Sequence, residues 1–255
     1  LVLAHGGRRR VIRVGRFAGQ YAKPRSTSTE TRNGVELPSY RGDNVNASSF
    51  GATERAPDPS RLVEGHSRSA LTLNFIRSLI DGGFADLHHP EYWDLDFASH
   101  SPRGGEYQAM VEAIGEALRF MESLAGKQLG EMSQVDFFTS HEGLLLEYEE
   151  ALTRQVPHRP GWWNLSTHFP WIGLRTADPD GGHVAYFSGI QNPIGVKVGT
   201  GMSVDQVLAL VERLDPHRSP GRLTLIHRFG REGIAHGLPP ILRAVAETGR
   251  KQLWV

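Results

Sequence analysis

The sequence predicts an α/β fold, a partial parallel (β/α)₈ TIM barrel containing about strands 2 to 7. Short apolar runs alternate with amphipathic helical patterns, which is typical of βα units around a parallel sheet. There are six such runs, fewer than a closed barrel needs. A long polar and helical excursion separates the first run from the second. A doubly wound open sheet is the alternative, and the pattern alone does not exclude it.

The predicted strands are short and mostly apolar. They cover residues 11–14, 135–139, 168–172, 195–198, 223–227 and 252–255. Between the last strands, "SVDQVLALVERL" has Ser203 three residues before Gln206, a capping-box spacing, and its apolar residues recur at helical intervals. Another helix is predicted over about 233–247, and Gly249 fits the position just beyond its end.

The excursion, residues 27–130, is interpreted as an insertion within one domain that covers residues 1–255. Residues 27–60 are rich in Ser, Thr, Asn, Gly and Pro and predict an extended loop. Two helices follow, at about 61–80 and 106–124, and the second carries its apolar residues on one face.

Composition excludes several classes of protein. The 28 basic and 28 acidic side chains cancel, so no global field favours nucleic acid or a membrane surface as a partner. Without cysteine, the chain has neither a disulfide nor a thiolate metal site. No apolar run approaches the roughly 20 residues of a membrane span. We expect a cytoplasmic protein, and a fragment of a longer chain, because "KQLWV" ends inside a predicted strand.

Cationic residues lie near or just beyond the ends of the predicted strands. They are Arg16, Arg175, Lys197 and Arg228. Because the carboxyl ends of barrel strands share one face, these side chains are expected to converge on one pocket. Guanidinium and ammonium groups together suit a small molecule that carries phosphate and carboxylate groups. Lys23, Arg25 and Ser26 in "GQYAKPRS" add a further anion-binding pattern after the first strand.

Three histidines have open interpretations. In "TSHEGLLLEYEE", His141 and Glu142 are candidate catalytic residues for acid–base work, or polar residues that orient their neighbours at a strand-to-helix junction. His88 and His89 are adjacent on a predicted loop, where no partner set for a metal is visible.

Eight segments resemble class II 3-deoxy-D-arabino-heptulosonate 7-phosphate (DAHP) synthases, in the same order. They are "VGRFAGQYAKPRS", "YRGDNVN", "DLHHPEYWDLDF", "FFTSHEGLLLEYEEALTR", "STHFPWIGLRT", "NPIGVKVG", "PGRLTLIHRFG" and "LPPILRAV". The resemblance implies a (β/α)₈ barrel with a helical insertion. It also implies a transferase that condenses phosphoenolpyruvate with D-erythrose 4-phosphate to DAHP plus phosphate. This is the first step of the shikimate pathway, which leads to chorismate and the aromatic amino acids.

The resemblance also implies roles for individual residues. The residues for phosphoenolpyruvate would be Arg16, Leu174, Arg175, Lys197 and Arg228. The residues for erythrose 4-phosphate would be Lys23, Pro24, Arg25 and Ser26. Leu174 departs from the family's usual "WIGERT", in which this position is acidic.

The family's divalent metal, Mn²⁺ or Co²⁺, would polarise the aldehyde. Its ligands are a cysteine before this segment, a histidine in "DPMHGN" after it, and two further acidic residues, so no metal ligand is expected within this chain. We therefore expect the chain alone to be inactive and the full-length protein to be a homo-oligomer. The alternatives are a DAHP or aminoDAHP synthase of secondary metabolism, or a non-catalytic phosphate-binding relic.

Overall fold

The computed structural model describes residues 12–16, 20–82, 96–125, 136–250 and 253. These residues divide into two compact units. The smaller unit contains residues 12–13, 72–82, 96–125 and 136–137, and the larger contains 14–16, 20–71, 138–250 and 253.

The secondary-structure elements follow one another in the order below. The strands are β1 (Arg13–Gly15), β2 (Thr29–Arg32), β3 (Val35–Pro38), β4 (Phe137–Glu142), β5 (Thr153–Val156), β6 (Arg159–Asn164), β7 (Phe169–Ile172), β8 (Ile194–Gly199) and β9 (Leu223–Arg228). The helices are α1 (Ala52–Arg55), α2 (Ser60–Asp81), α3 (Asp96–Ser99), α4 (Gly104–Ala125), α5 (Leu146–Ala151), α6 (Gly182–Gly189), α7 (Val204–Leu214) and α8 (Gly230–Glu247). A 3₁₀ turn covers Leu174–Thr176.

Five strands form one curled, half-barrel sheet in the order β1–β4–β7–β8–β9. The β4–β7, β7–β8 and β8–β9 pairs are parallel. The strand order follows the chain without reversing, whereas a doubly wound sheet reverses at its switch point. The predicted α/β class with a parallel sheet is confirmed. The predicted strand at 252–255 lies almost wholly outside the described residues.

The apolar core lies on one face of this sheet, against α6, α7 and α8. Alternate residues of β8 and β9 are buried there: Ile194, Val196, Val198, Leu223 and Leu225. The helices contribute Val184, Phe187, Val207, Leu210, Val211, Leu214, Ile241 and Val245. Because side chains alternate along a strand, Lys197 lies on the face opposite to this core.

The predicted caps of the last two helices are confirmed. The Ser203 side chain accepts a hydrogen bond from the Gln206 backbone N–H at 3.1 Å, directly before α7. Gly249 follows the end of α8 with φ +71°, a conformation that glycine adopts without strain.

Replacing Ser203 by alanine is expected to lower the free energy of unfolding by about 1 kcal/mol, because α7 loses the acceptor for an N-terminal N–H. Urea denaturation followed by circular dichroism measures this loss. Ser203→Asp keeps an acceptor and should stay near the wild type. An equal loss in both variants would show that the cap contributes nothing.

The predicted extended loop at 27–60 is corrected by the structure, which contains the β2–β3 hairpin and α1. Asn33 and Gly34 connect the two strands with φ of 50° and 77°. An Asn-Gly pair permits positive φ at both central positions, as a two-residue hairpin turn requires. A second hairpin, β5–β6, also has no counterpart among the sequence predictions.

The two helices predicted in the excursion are confirmed with slightly wider bounds, as α2 and α4. In the smaller unit, α4 buries Val111 and Leu118 on its apolar face. No helix in the described ranges combines the length and apolarity needed to cross a membrane.

Candidate active site

Trp171 in β7 lies against two of the predicted cations. The guanidinium carbon of Arg16 is 5.3 Å from the Trp171 ring centroid, and Lys197 Nζ is 5.0 Å from it. The indole is 7% exposed, while Arg16 is exposed and Lys197 is half-buried, so both cations also reach solvent. The ends of β1 and β8 therefore bring two of the four predicted cations to one aromatic ring.

Glu142, the last residue of β4, faces Lys197. Its Oε2 is 3.7 Å from Lys197 Nζ, and its side chain is 9% exposed. A Cβ added at Gly173 would lie 2.0 Å from Glu142 Oε1, so a glycine at this position leaves the space that the carboxylate occupies. Glu142 thus provides one negative charge within the cationic site.

Arg175 and Arg228 lie at the ends of β7 and β9, the two strands that flank β8. Arg175 is exposed in the 3₁₀ turn that follows β7. Arg228 ends β9 opposite Gly199 of β8, two residues beyond Lys197. Because in-register residues of parallel strands share a face, Arg228 and Lys197 lie on the same face of the sheet.

Leu174 packs over the end of β8. A Cβ added at Gly199 would lie 3.4 Å from Leu174 Cδ2 and 2.8 Å from the carbonyl oxygen of Arg228. The side chain that stands in place of the family's acidic residue therefore contacts a strand end.

The anion-binding segment, residues 23–26, packs on Tyr40. Lys23 Nζ lies 5.3 Å from the Tyr40 ring centroid, and the Arg25 guanidinium carbon lies 5.6 Å from it. Arg25 Nε also donates to the Tyr40 carbonyl oxygen at 2.5 Å. Burial, together with a hydrogen bond to Asp43 and the charge of that carboxylate, raises the pKa of Tyr40 to about 12. The motifs "GQYAKPRS" and "YRGDNVN" therefore contact each other in the folded chain.

Backbone contacts fasten these two motifs together. Tyr21 N–H donates to Asn44 Oδ1, and Lys23 N–H donates to the Arg41 carbonyl at 2.7 Å. Gly42 has φ +99°, and a Cβ there would lie 2.0 Å from the Tyr21 carbonyl oxygen. Only glycine fits this crossing. Within the segment, Lys23, Arg25 and Ser26 are exposed and Pro24 is half-buried.

His141 and Glu142 do not face each other. They are successive residues of β4, so their side chains lie on opposite faces of the sheet. His141 Nε2 is 2.5 Å from Glu149 Oε1, and both side chains are almost completely buried. Burial alone would raise the pKa of Glu149, but hydrogen bonds and charge from His141, with hydrogen bonds from Ser166 and Asn164, hold it below its usual value.

Sequence reasoning did not identify Glu149 as a functional candidate. It stands among several acidic residues in "LEYEEA", and the sequence does not distinguish a buried carboxylate from exposed neighbours. The histidines considered for a metal, His88 and His89, lie outside the described residues. In the part of the chain that the structure covers, no three His, Asp or Glu side chains form a metal-binding group.

Comparison with known proteins agrees with the motifs. Residues 1–255 match the family described as the class-II DAHP synthetase family. The chain belongs to this family. The resemblance predicted from the sequence motifs is confirmed.

Two curated relatives are each named phospho-2-dehydro-3-deoxyheptonate aldolase. The one from Streptomyces coelicolor is 44% identical over 254 residues, and the one from Neurospora crassa is 45% identical over 270 residues. Each match includes 100% of this chain and 56% of the relative. The chain therefore spans little more than half the length of these family members.

Proposed function

We propose that this chain binds the substrates of a DAHP synthase, which condenses phosphoenolpyruvate with D-erythrose 4-phosphate to form DAHP and inorganic phosphate. The observation that carries the proposal is the pair of cations, Arg16 and Lys197, that both contact the Trp171 ring. Membership of the class-II DAHP synthetase family supports this choice of substrates.

Phosphoenolpyruvate suits this set of charges. The proposed ligands for it are Arg16, Leu174, Arg175, Lys197 and Arg228. Arg16 and Lys197 supply two positive charges against the one negative charge of Glu142, and Arg175 and Arg228 are proposed to add two more, which suits a ligand with a phosphate and a carboxylate. The planar guanidinium group of arginine can form two parallel hydrogen bonds to a phosphate or to a carboxylate, and lysine adds a point charge. Fixed cations also stabilise the phosphate as it leaves.

The anion-binding segment is proposed to bind the phosphate of erythrose 4-phosphate. Lys23 and Arg25 supply positive charge and Ser26 supplies a hydroxyl donor, while Pro24 restricts the backbone between the two cations. Packing of both cations on Tyr40 supports this role, because it orders two long side chains before the ligand arrives.

Glu142 is proposed as the acid–base residue. It lies beside Lys197 on the cationic face, whereas His141 belongs to a buried network on the other face. A carboxylate there is suited to accept a proton from the water that attacks the reacting carbon. His141 then fits the other interpretation of its motif, in which it orients neighbouring residues.

We propose that the whole protein is a single cytoplasmic (β/α)₈ barrel domain, with residues 27–130 as its insertion, and that it forms homo-oligomers. The divalent metal, Mn²⁺ or Co²⁺, would be held by groups other than the described residues. It would supply polarisation of the aldehyde carbonyl.

Replacing Arg175 or Lys197 by alanine is expected to raise the Kd for phosphoenolpyruvate about tenfold or more, because each change removes a charge-assisted hydrogen bond. Isothermal titration of this chain with phosphoenolpyruvate measures the effect without requiring turnover. Arg213→Ala, which removes an exposed cation from α7, is the control and should bind like the wild type.

Lys23→Ala provides the matched comparison. It should raise the Kd for erythrose 4-phosphate and leave the Kd for phosphoenolpyruvate unchanged. If Arg175→Ala and Lys197→Ala both bind phosphoenolpyruvate as tightly as the wild type, the proposed pocket is wrong. Phosphate release from the two substrates by the complete protein that the gene encodes tests the reaction itself.

A further inference from the structure

Glu149 is a fully buried carboxylate that lies outside the proposed phosphoenolpyruvate site. Its Oε1 accepts a hydrogen bond from Gln20 Nε2 at 2.5 Å and lies 2.5 Å from His141 Nε2. Its Oε2 accepts hydrogen bonds from Ser166 Oγ at 2.6 Å and from Asn164 Nδ2. A buried charge is costly unless it is fully hydrogen-bonded, and four side chains meet that need here.

The partners of Glu149 come from distant parts of the chain. His141 belongs to β4 and Asn164 to β6, and Ser166 follows β6 by two residues. These three lie in the framework of the larger unit. Gln20 differs from them, because it stands three residues before Lys23, at the start of the polypeptide that leads into the anion-binding segment.

Gln20 uses both ends of its amide to attach that polypeptide to α5. Its Oε1 accepts from the Leu145 backbone N–H at 2.5 Å, while its Nε2 donates to Glu149. The side chain is 1% exposed, so water does not compete for these bonds. From Gln20 onward, Ala22 is buried and Lys23 N–H is bonded to the Arg41 carbonyl.

We propose that Glu149 is a positioning residue, which fixes the anion-binding segment through Gln20. With Gln20 tied to Glu149 at one end and Lys23 tied to Arg41 at the other, Lys23 and Arg25 are held against Tyr40 in one conformation. The identity of the anion, erythrose 4-phosphate, rests on the proposed function. The attachment of the segment to Glu149 does not.

Trypsin tests the attachment without any ligand. The Lys23–Pro24 bond resists trypsin, whereas the Arg25–Ser26 bond is cleaved when the segment leaves Tyr40. Gln20→Met and Glu149→Gln should each accelerate cleavage after Arg25 roughly tenfold, because a buried charge-assisted hydrogen bond is lost and local opening becomes easier. Cleavage after exposed Arg218 should keep the wild-type rate.

Ser166→Ala is the matched control, since it removes a hydrogen bond to the same carboxylate without touching Gln20. It should leave cleavage after Arg25 unchanged. Circular dichroism establishes that each variant is folded, and Gln20→Met decides the question if Glu149→Gln does not fold. Unchanged cleavage after Arg25 in folded Gln20→Met would overturn the proposal, and so would equal acceleration after Arg218.

Titration with the two substrates gives a second readout that general destabilisation does not reproduce. Gln20→Met and Glu149→Gln should raise the Kd for erythrose 4-phosphate about tenfold and change that for phosphoenolpyruvate less than about twofold. Equal weakening of both ligands would overturn the positioning role. If the wild type does not bind erythrose 4-phosphate, the function proposed for the segment fails, while the trypsin result still decides whether Glu149 holds it.

Discussion

Replacing Arg55 by alanine is expected to lower the free energy of unfolding by about 4 kcal/mol. The Arg55 side chain is 1% exposed and donates to the carbonyl oxygens of Pro38, Ser48 and Ser49 at 2.9–3.1 Å. It also lies 3.2 Å from Glu30. Alanine would leave three carbonyl groups and a carboxylate without this donor, and water replaces it poorly at a buried position. Urea denaturation followed by tryptophan fluorescence measures the loss.

Arg32→Ala is the control for this prediction. Arg32 pairs with the same Glu30 at 3.2 Å, but its side chain is 57% exposed. An exposed pair contributes little, so this variant should unfold like the wild type. A comparable loss of stability in both variants would contradict the role given to the burial of Arg55.

The loss of Arg55 should also disturb the anion-binding segment. Arg55 joins β3 to the loop that precedes α1, and its guanidinium carbon lies 6.0 Å from the Tyr40 ring centroid. Asn46 reinforces the same loop by donating to the Ser39 and Arg55 carbonyls at 3.0 Å. The position of Tyr40, on which Lys23 and Arg25 pack, therefore depends on a buried arginine. Arg55 is not itself among the residues proposed to bind either substrate.

Local patterns were enough to predict the strands of the parallel sheet and the helices α7 and α8. The runs that became β7, β8 and β9 are short and apolar, and the segments between them have a helical period. The length of the runs and the period of the segments between them therefore both favour strands joined by helices. The α7 cap was predictable because Ser203 and Gln206 are neighbours in sequence. Two of the four strand-end cations, Arg16 and Lys197, contact one indole in the structure, because parallel strands direct their carboxyl ends to one edge.

Other features depend on contacts between distant residues, which composition does not encode. Gln20 and Glu149 are 129 residues apart, and Arg55 and Glu149 look like ordinary surface charges in the sequence. Two features could have been predicted. The Asn33–Gly34 pair indicates a hairpin, although the polar residues around it suggested a loop. Strand alternation also indicates that His141 and Glu142 cannot share a face.

Replacing Glu142 by glutamine is expected to separate turnover from binding. Glutamine keeps the shape of the side chain but cannot accept a proton, so turnover in the complete protein that the gene encodes should fall by about 10²–10⁴-fold. Binding of phosphoenolpyruvate should stay the same or become tighter, because Lys197 loses the negative charge 3.7 Å away. Lys197→Ala should instead weaken binding, so the two partners of one ion pair are expected to shift the Kd in opposite directions.

Two measurements distinguish this role from a structural one. Steady-state phosphate release gives the turnover, and isothermal titration gives the Kd for phosphoenolpyruvate. Glu147→Gln, which neutralises an exposed carboxylate on α5, should leave both unchanged. If Glu142→Gln turns over at nearly the wild-type rate, the carboxylate does not transfer protons. If it binds phosphoenolpyruvate more weakly, Glu142 acts mainly by holding Lys197 in place, because the loss of a repulsive charge cannot by itself reduce affinity for an anion.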